Sequence, residues 1–206
     1  MGSVGLILLV GAVVLLGTGY TTIMVVGSAM EPTYSVGERV ILERIDADEV
    51  RRGDVVLHRM PDRYKGGAVL RRVIGVGGDR VAQQVAAPVT VNGKPLAEPY
   101  VKNGDPSGMA PRYDVVVPPG RLFLLGDYRA NSNDSRYFLS EQSGTVAAST
   151  VQARALHDRT GLLGLALAAL LGVLLTVTAL VLSCAARAAR AARRRSRPVP
   201  VVPASA

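Results

Sequence analysis

The chain has 206 residues, with 24 Lys and Arg against 16 Asp and Glu and a formal net charge of +8. That length holds one domain plus membrane anchors, but not two domains with separate cores. Six of the 24 basic residues (Arg187, Arg190, Arg193, Arg194, Arg195 and Arg197) lie together near the C-terminus with no acid among them, leaving 18 basic against 16 acidic residues elsewhere. The excess is local, so a nucleic-acid-binding face is excluded.

The N-terminal 30 residues carry no charged side chain, and Glu31 is the first. From Val4 to Val26 every residue is apolar, small or hydroxyl-bearing, and 23 helical residues reach roughly 34 Å, enough to cross a hydrocarbon core of about 30 Å. A transmembrane anchor over residues 4–26 is expected, because a helix satisfies its own backbone in lipid. A cleavable export signal is the competing reading. It lacks a basic leading segment, its apolar run is long, and Tyr20-Thr21-Thr22 is a poor cleavage flank. The heptapeptide Gly27-Ser28-Ala29-Met30-Glu31-Pro32-Thr33 then falls where the apolar segment gives way to a polar domain.

Residues 27–159 read as a mainly β domain. Strand-length runs rich in β-branched residues and leucine, closed by Gly, Pro or Asp, occur at residues 39–43, 54–58, 68–76, 114–117 and 121–125. Asn92-Gly93 between apolar flanks predicts a tight hairpin within residues 89–96. No sustained helical periodicity appears, and an antiparallel sheet with many turns is expected. His58 and His157 have no Cys or His partner at zinc spacing, so no metal or other cofactor is expected. Cys184 stands alone, which excludes an internal disulfide.

A second uncharged, leucine-rich run covers residues 160–186 and predicts another transmembrane helix. The arginines that follow it place the C-terminus in the cytoplasm. Two spans then put both termini inside and residues 27–159 outside the cell membrane. Gly164, Ala168 and Gly172 recur every four residues and offer a small-residue face for packing on the first span. The tail over residues 187–206 can hold anionic lipid head groups through its arginines, and its Pro198–Pro203 ending cannot form a helix.

Four stretches together resemble bacterial type I signal peptidases, the membrane-bound Ser/Lys endopeptidases that remove export signals. They are Ser28-Ala29-Met30-Glu31-Pro32-Thr33, Arg52-Gly53-Asp54-Val55-Val56-Leu57, Arg71-Arg72-Val73-Ile74-Gly75-Val76-Gly77-Gly78-Asp79, and Gly126-Asp127 through Arg136. The resemblance implies a signal-peptidase-like antiparallel β domain between two transmembrane helices, a shallow apolar cleft, and cleavage after small residues in an Ala-x-Ala pattern. It also implies that Met30 packs beneath the cleft, that Pro32 fixes the turn into the domain, and that Asp134 pairs with both Arg72 and Arg136. Ser132 matches the residue that steadies the base; opposite Arg71 it is expected to accept a hydrogen bond.

This chain departs from the family at the positions that carry chemistry. The nucleophile position is Ala29, the general-base position is Arg71, and Gly27 stands where a second hydroxyl often helps hold the oxyanion. Ser28 is the nearest candidate nucleophile, one residue off register; in an extended segment that slip turns its hydroxyl away from the cleft unless a bulge intervenes. Arg71 cannot accept a proton, because guanidinium has no acceptor and stays protonated. It can donate hydrogen bonds to a carbonyl or carboxylate, a binding role. His58, Lys65 and Lys102 are the remaining candidate bases, and nothing in the sequence brings any of them to Ser28.

The expectation is therefore a signal-peptidase-like protein of the export pathway, impaired in or lacking peptide hydrolysis, that binds the signal peptides of preproteins or active signal peptidase paralogues. The rival readings are an active serine endopeptidase that uses Ser28 with another base, and a membrane scaffold whose outer domain touches no signal peptide.

Overall fold

A computed structural model describes residues 2–59, 66–156 and 160–195. The chain forms two compact units, one of residues 1–17 with 158–206 and the other of residues 18–157.

The first unit is helical. Helix α1 covers Gly2–Gly19 and helix α2 covers Thr160–Arg195. By length and composition α2 is able to cross a membrane over Thr160–Arg190, whereas the apolar part of α1 is shorter. The helix expected over residues 4–26 thus stops at Gly19. The reason lies in Tyr20-Thr21-Thr22-Ile23, which is aromatic and β-branched and favours a pleated surface. Helix α2 runs past the expected end at Ala186, because Ala-Ala-Arg repeats are strong helix formers. The first part of the expected tail is therefore helical; Pro198–Pro203 lies outside the described residues.

Within this unit the two helices touch through small residues. A Cβ added to Gly172 would lie 2.8 Å from the Gly5 carbonyl oxygen and 2.7 Å from Leu9 N, and one added to Gly5 would lie 2.7 Å from Thr176 Oγ1. Gly172 is thus the close-approach point of the predicted small-residue face. Gly164 has open space around it and takes no part.

Among the described residues the second unit carries eleven strands: β1 Tyr20–Met24, β2 Arg39–Glu43, β3 Val55–Arg59, β4 Ala68–Val76, β5 Arg80–Gln83, β6 Thr90–Val91, β7 Lys94–Pro95, β8 Tyr113–Val116, β9 Arg121–Leu125, β10 Val146–Ala147 and β11 Val151–Ala155. Seven form one sheet in the order β1-β2-β11-β3-β4-β9-β10, and four form another in the order β7-β6-β5-β8. Every pair is antiparallel. The predicted runs at 39–43, 68–76 and 121–125 are strands with those limits, and the other two differ by one residue at each end. Asn92 and Gly93, both at positive φ, close the β6–β7 hairpin as a two-residue turn.

Strand β11, near the end of the domain, pairs with β2 and β3 in the middle of the large sheet. It joins β2 to β3, and its Ala153 enters a core with Val25, Met30, Val40, Leu42, Leu57 and Leu70. That core underlies the Ser28–Met30 segment. A second core, with Ile74, Val81, Val115, Phe123 and Leu125, joins residues of both sheets.

Candidate functional site

Beyond β1 the chain runs through Val25 and Val26 into a 3₁₀ turn at Ser28–Met30. The sequence reading took this stretch as extended; the turn forms instead because the Glu31 N–H bonds back to the Ser28 carbonyl at 3.0 Å and the Tyr34 N–H to the Met30 carbonyl at 2.9 Å. The Tyr128 N–H donates to the Ala29 carbonyl at 3.0 Å, tying the turn to the segment after β9. Successive side chains of a 3₁₀ turn diverge by about 120°. Met30 accordingly enters the core, 2% exposed, while Ala29 lines a groove and Ser28 does not. Pro32 follows the turn through a cis peptide bond.

The groove has a volume of about 180 Å³ and is lined by Ile23 to Gly27, Ala29 and Met30 on one side and by Leu57 and Ala68 to Arg71 on the other. It is apolar except at Arg71. A more open recess of about 440 Å³ is lined by Arg71, Ser132, Asn133 and Tyr137 with Ala130 and Asn131. Arg71 is therefore the residue the two share.

Arg71 is buried in β4 and points Nη1 to the Leu70 carbonyl at 2.6 Å and Nη2 to the Asn133 carbonyl at 3.0 Å. These carbonyls fix the plane of a group that carries a permanent positive charge. The neighbouring Arg72 leaves the other face of the strand. Its Nε reaches Asp127 Oδ1 at 2.8 Å and its Nη2 reaches Oδ2 at 2.6 Å, while Nη1 donates to the Gly53 carbonyl at 3.0 Å. Burial opposes the Arg72 charge, but the hydrogen bond and negative charge of Asp127 outweigh it and raise its pKa. Thr33 donates its hydroxyl to the same carboxylate.

Asp134 keeps one of its two expected partners. It holds Arg136 through both carboxylate oxygens, at 2.8 Å each, and accepts the Gly126 N–H at 3.0 Å. Asp134 and Arg72 do not form an ion pair, because Asp127 takes the bidentate place on Arg72 that the resemblance gave to Asp134. A third buried pair joins Arg129 to Glu98, with Arg129 also donating to the Gly126 and Pro106 carbonyls. Behind the site three buried guanidinium groups thus each have a carboxylate.

Ser132 is buried and lines the recess with Arg71, yet its Oγ finds no hydrogen-bond partner among the described residues. The expected bond with Arg71 is not made. The hydroxyl packs instead on Gly126, where an added Cβ would lie 2.2 Å from Ser132 Oγ and 2.6 Å from the Ala29 carbonyl oxygen. Gly126 has to lack a side chain for the turn to come this close.

Of the candidate bases, the two described ones, His58 and Lys102, are not brought to Ser28. Its hydroxyl accepts a hydrogen bond from Asn131 Nδ2 at 2.7 Å. His58 is buried in β3, opposite Val69 and Val151, and lines neither recess. Lys102 forms an ion pair with Glu31 at 2.5 Å and lies 4.1 Å from the Tyr128 ring centre. The Glu31 hydrogen bond raises the Lys102 pKa, so this amine keeps its proton. Lys65 lies outside the described residues.

The sequence reading assigned no role to Asp127, Thr33, Asn131 or Glu98. Asp127 was within reach as the residue beside Gly126 in a motif rich in charge. Glu98 and Asn131 gave no signal, since their partners are 31 and 103 residues away in the chain.

These features define a class, an antiparallel β domain whose apolar groove runs between a backbone-anchored turn and an arginine-bearing strand. Comparison with known proteins gives the family: the model described as "Signal peptidase, peptidase S26" matches residues 1–157, and the chain belongs to that family. It is 36% identical over 120 residues to a protein named "Probable signal peptidase I-2" from Synechocystis, covering 54% of this chain and 52% of that one. It is 31% identical over 125 residues to "Signal peptidase I U" of Bacillus subtilis, covering 57% of this chain and 65% of that one. The chain thus matches about half to two thirds of the length of these relatives. A crystal structure of a signal peptidase I from Enterococcus faecalis V583 is 28% identical and aligns over 52% of this chain and 96% of that one, with a TM-score of 0.41.

Proposed function

We propose that this protein is a signal peptidase I-like membrane protein of the export pathway in which peptide hydrolysis is impaired or absent, and that it acts by holding the signal peptides of preproteins in the groove. The observation that carries this reading is the lining of the groove itself. Ala29 offers a methyl group and Arg71 a guanidinium, while the hydroxyl of the adjacent Ser28 is bonded to Asn131. A Ser/Lys dyad needs an amine able to lose its proton near neutral pH, and guanidinium does not. Alanine supplies no attacking oxygen.

The framework supports binding without chemistry. The apolar lining from Ile23 to Leu70 suits an extended segment with small apolar side chains. On this reading both termini are cytoplasmic, the domain of residues 27–159 lies outside, anionic lipids meet the arginine-rich end of α2, and active paralogues are candidate partners.

The test is a cleavage assay with purified full-length protein and a preprotein in detergent. The wild type is expected to cleave little or none of it. Ala29→Ser with Arg71→Lys restores cleavage, and either change alone does not, because the dyad works as a unit. Efficient wild-type cleavage that Ser28→Ala abolishes would overturn the proposal in favour of an active serine peptidase.

A further inference from the structure

We infer that Asn103 is a site of spontaneous deamidation, that Asn92 in the same dipeptide is protected by the fold, and that conversion at Asn103 loosens the hold of Lys102 on Glu31. None of this depends on what the groove binds. The chain has two Asn-Gly pairs, Asn92-Gly93 and Asn103-Gly104. Both are exposed, and in both the Asn and the Gly have positive φ. Composition treats them alike, since asparagine is thermolabile and a following glycine has no side chain to shield the next amide nitrogen.

The structure separates them. Asn92 has its carboxamide held at both atoms: Nδ2 donates to Asp79 Oδ1 and Oδ1 accepts the Arg80 N–H, each at 2.8 Å. Its own N–H donates to the Arg80 carbonyl at 2.8 Å. Turning this side chain toward the Gly93 nitrogen means breaking the first two bonds. Asn103 lies in the Lys102–Gly104 turn with φ 59° and ψ 13°, and its carboxamide makes no hydrogen bond among the described residues. The turn is held by the Gly104 N–H on the Val101 carbonyl at 3.2 Å and the Asp105 N–H on the Lys102 carbonyl at 3.4 Å, both longer than the usual ~2.9 Å. Local opening of so weakly tied a turn lets the Gly104 nitrogen meet Asn103 Cγ.

The step balances without oxidant or reductant. The Gly104 nitrogen bonds to Cγ, the Cγ–Nδ2 bond breaks, and Nδ2 leaves as ammonia with the Gly104 amide proton. Water then opens the cyclic imide at either carbonyl and leaves aspartate or isoaspartate. Either product sets a carboxylate beside Lys102, whose Nζ pairs with Glu31 at 2.5 Å and whose N–H donates to the Asp127 carbonyl at 3.0 Å. The new carboxylate competes with Glu31 for the ammonium. Isoaspartate also adds a methylene to the main chain between Lys102 and Asp105.

The test incubates full-length protein in detergent at mildly alkaline pH and follows both Asn-Gly peptides by mass spectrometry with separation of aspartate from isoaspartate. Asn103 is expected to convert about tenfold or more faster than Asn92, because the bonds on the Asn92 carboxamide have to be broken first. In urea the two rates are expected to converge. Equal rates in the folded protein, or faster loss at Asn92, would overturn the assignment; a difference of the same size in urea would overturn its structural cause. Carbodiimide coupling of Lys102 to Glu31, read as the crosslinked peptide, is expected to be lost as the wild type converts and to persist in Asn103→Gln incubated alike. Coupling that persists in converted wild type would overturn the link to Glu31.

Discussion

Replacing Asp127 with alanine tests the brace behind the site. The carboxylate accepts Arg72 Nε at 2.8 Å, Arg72 Nη2 at 2.6 Å and the Thr33 hydroxyl, so it ties β4 to the segment after the Ser28–Met30 turn. Its loss leaves Arg72, 6% exposed, as a buried charge stripped of its counter-ion. Breaking such a pair from one side costs about 3–5 kcal/mol. The lower end applies here, because Arg72 keeps the Gly53 carbonyl at 3.0 Å and the Tyr100 ring 3.9 Å away. For a unit of the size of residues 18–157, about 3 kcal/mol corresponds to a fall in Tm of roughly 10 °C. Thermal melts of the full-length protein in detergent measure it, with Asp127→Ala/Arg72→Met as the companion variant. The companion is expected to regain part of the loss, since removing both charges spares the cost of an orphaned ion. A fall below about 3 °C for Asp127→Ala, or a companion less stable than the single variant, would refute the argument.

Three more outcomes are expected. Gly126→Ala drives a methyl group into Ser132 Oγ and the Ala29 carbonyl oxygen; overpacking of this kind costs about 1–3 kcal/mol, visible as a lower Tm and weaker binding of peptide in the groove. Burial would raise the pKa of Asp79, but hydrogen bonds from Arg52, the Val76 N–H and Asn92 prevail and hold it below the ordinary carboxylate value. Its contribution to stability is therefore complete above about pH 4 and fades as pH falls through the lowered folded-state value, so the gap in Tm between wild type and Asp79→Asn is expected to be open at pH 7 and to close in strong acid. Ala29→Ser adds one oxygen at a position that lines open space, and its Tm is expected to stay within about 2 °C of wild type.

Much of the β domain was legible because its strands announce themselves. Residues 68–76 and 121–125 are dense in Val, Ile and Leu and lie between glycines, and Asn92-Gly93 specifies its own turn. Strand β1 was hidden because Tyr20–Met24 continues an apolar run whose first part is helical, and hydropathy does not mark where the period changes from 3.6 to 2. The centrally placed β11 was missed for another reason. Val151-Gln152-Ala153-Arg154-Ala155 alternates properly, but it is short and carries a charge, and only its pairing with β2 and β3 makes it a core strand. At the site, residue identities alone say that Ala29 carries no hydroxyl and Arg71 no proton acceptor. The choice between Asp127 and Asp134 as partner of Arg72 was beyond the sequence, because both acids lie in one charged loop and only the fold decides which of them faces β4.

The turn at Ser28–Met30 is suspended by its peptide groups, through Tyr128, Tyr34 and Glu31, with Gly126 leaving room for its approach. Its shape therefore does not depend on which side chain occupies position 29. Folding exerts no check on the side chain there, so a hydroxyl can be lost or gained without the domain registering the change. Selection on cleavage and selection on architecture become separable at this residue, and a lineage can shed one while retaining the other.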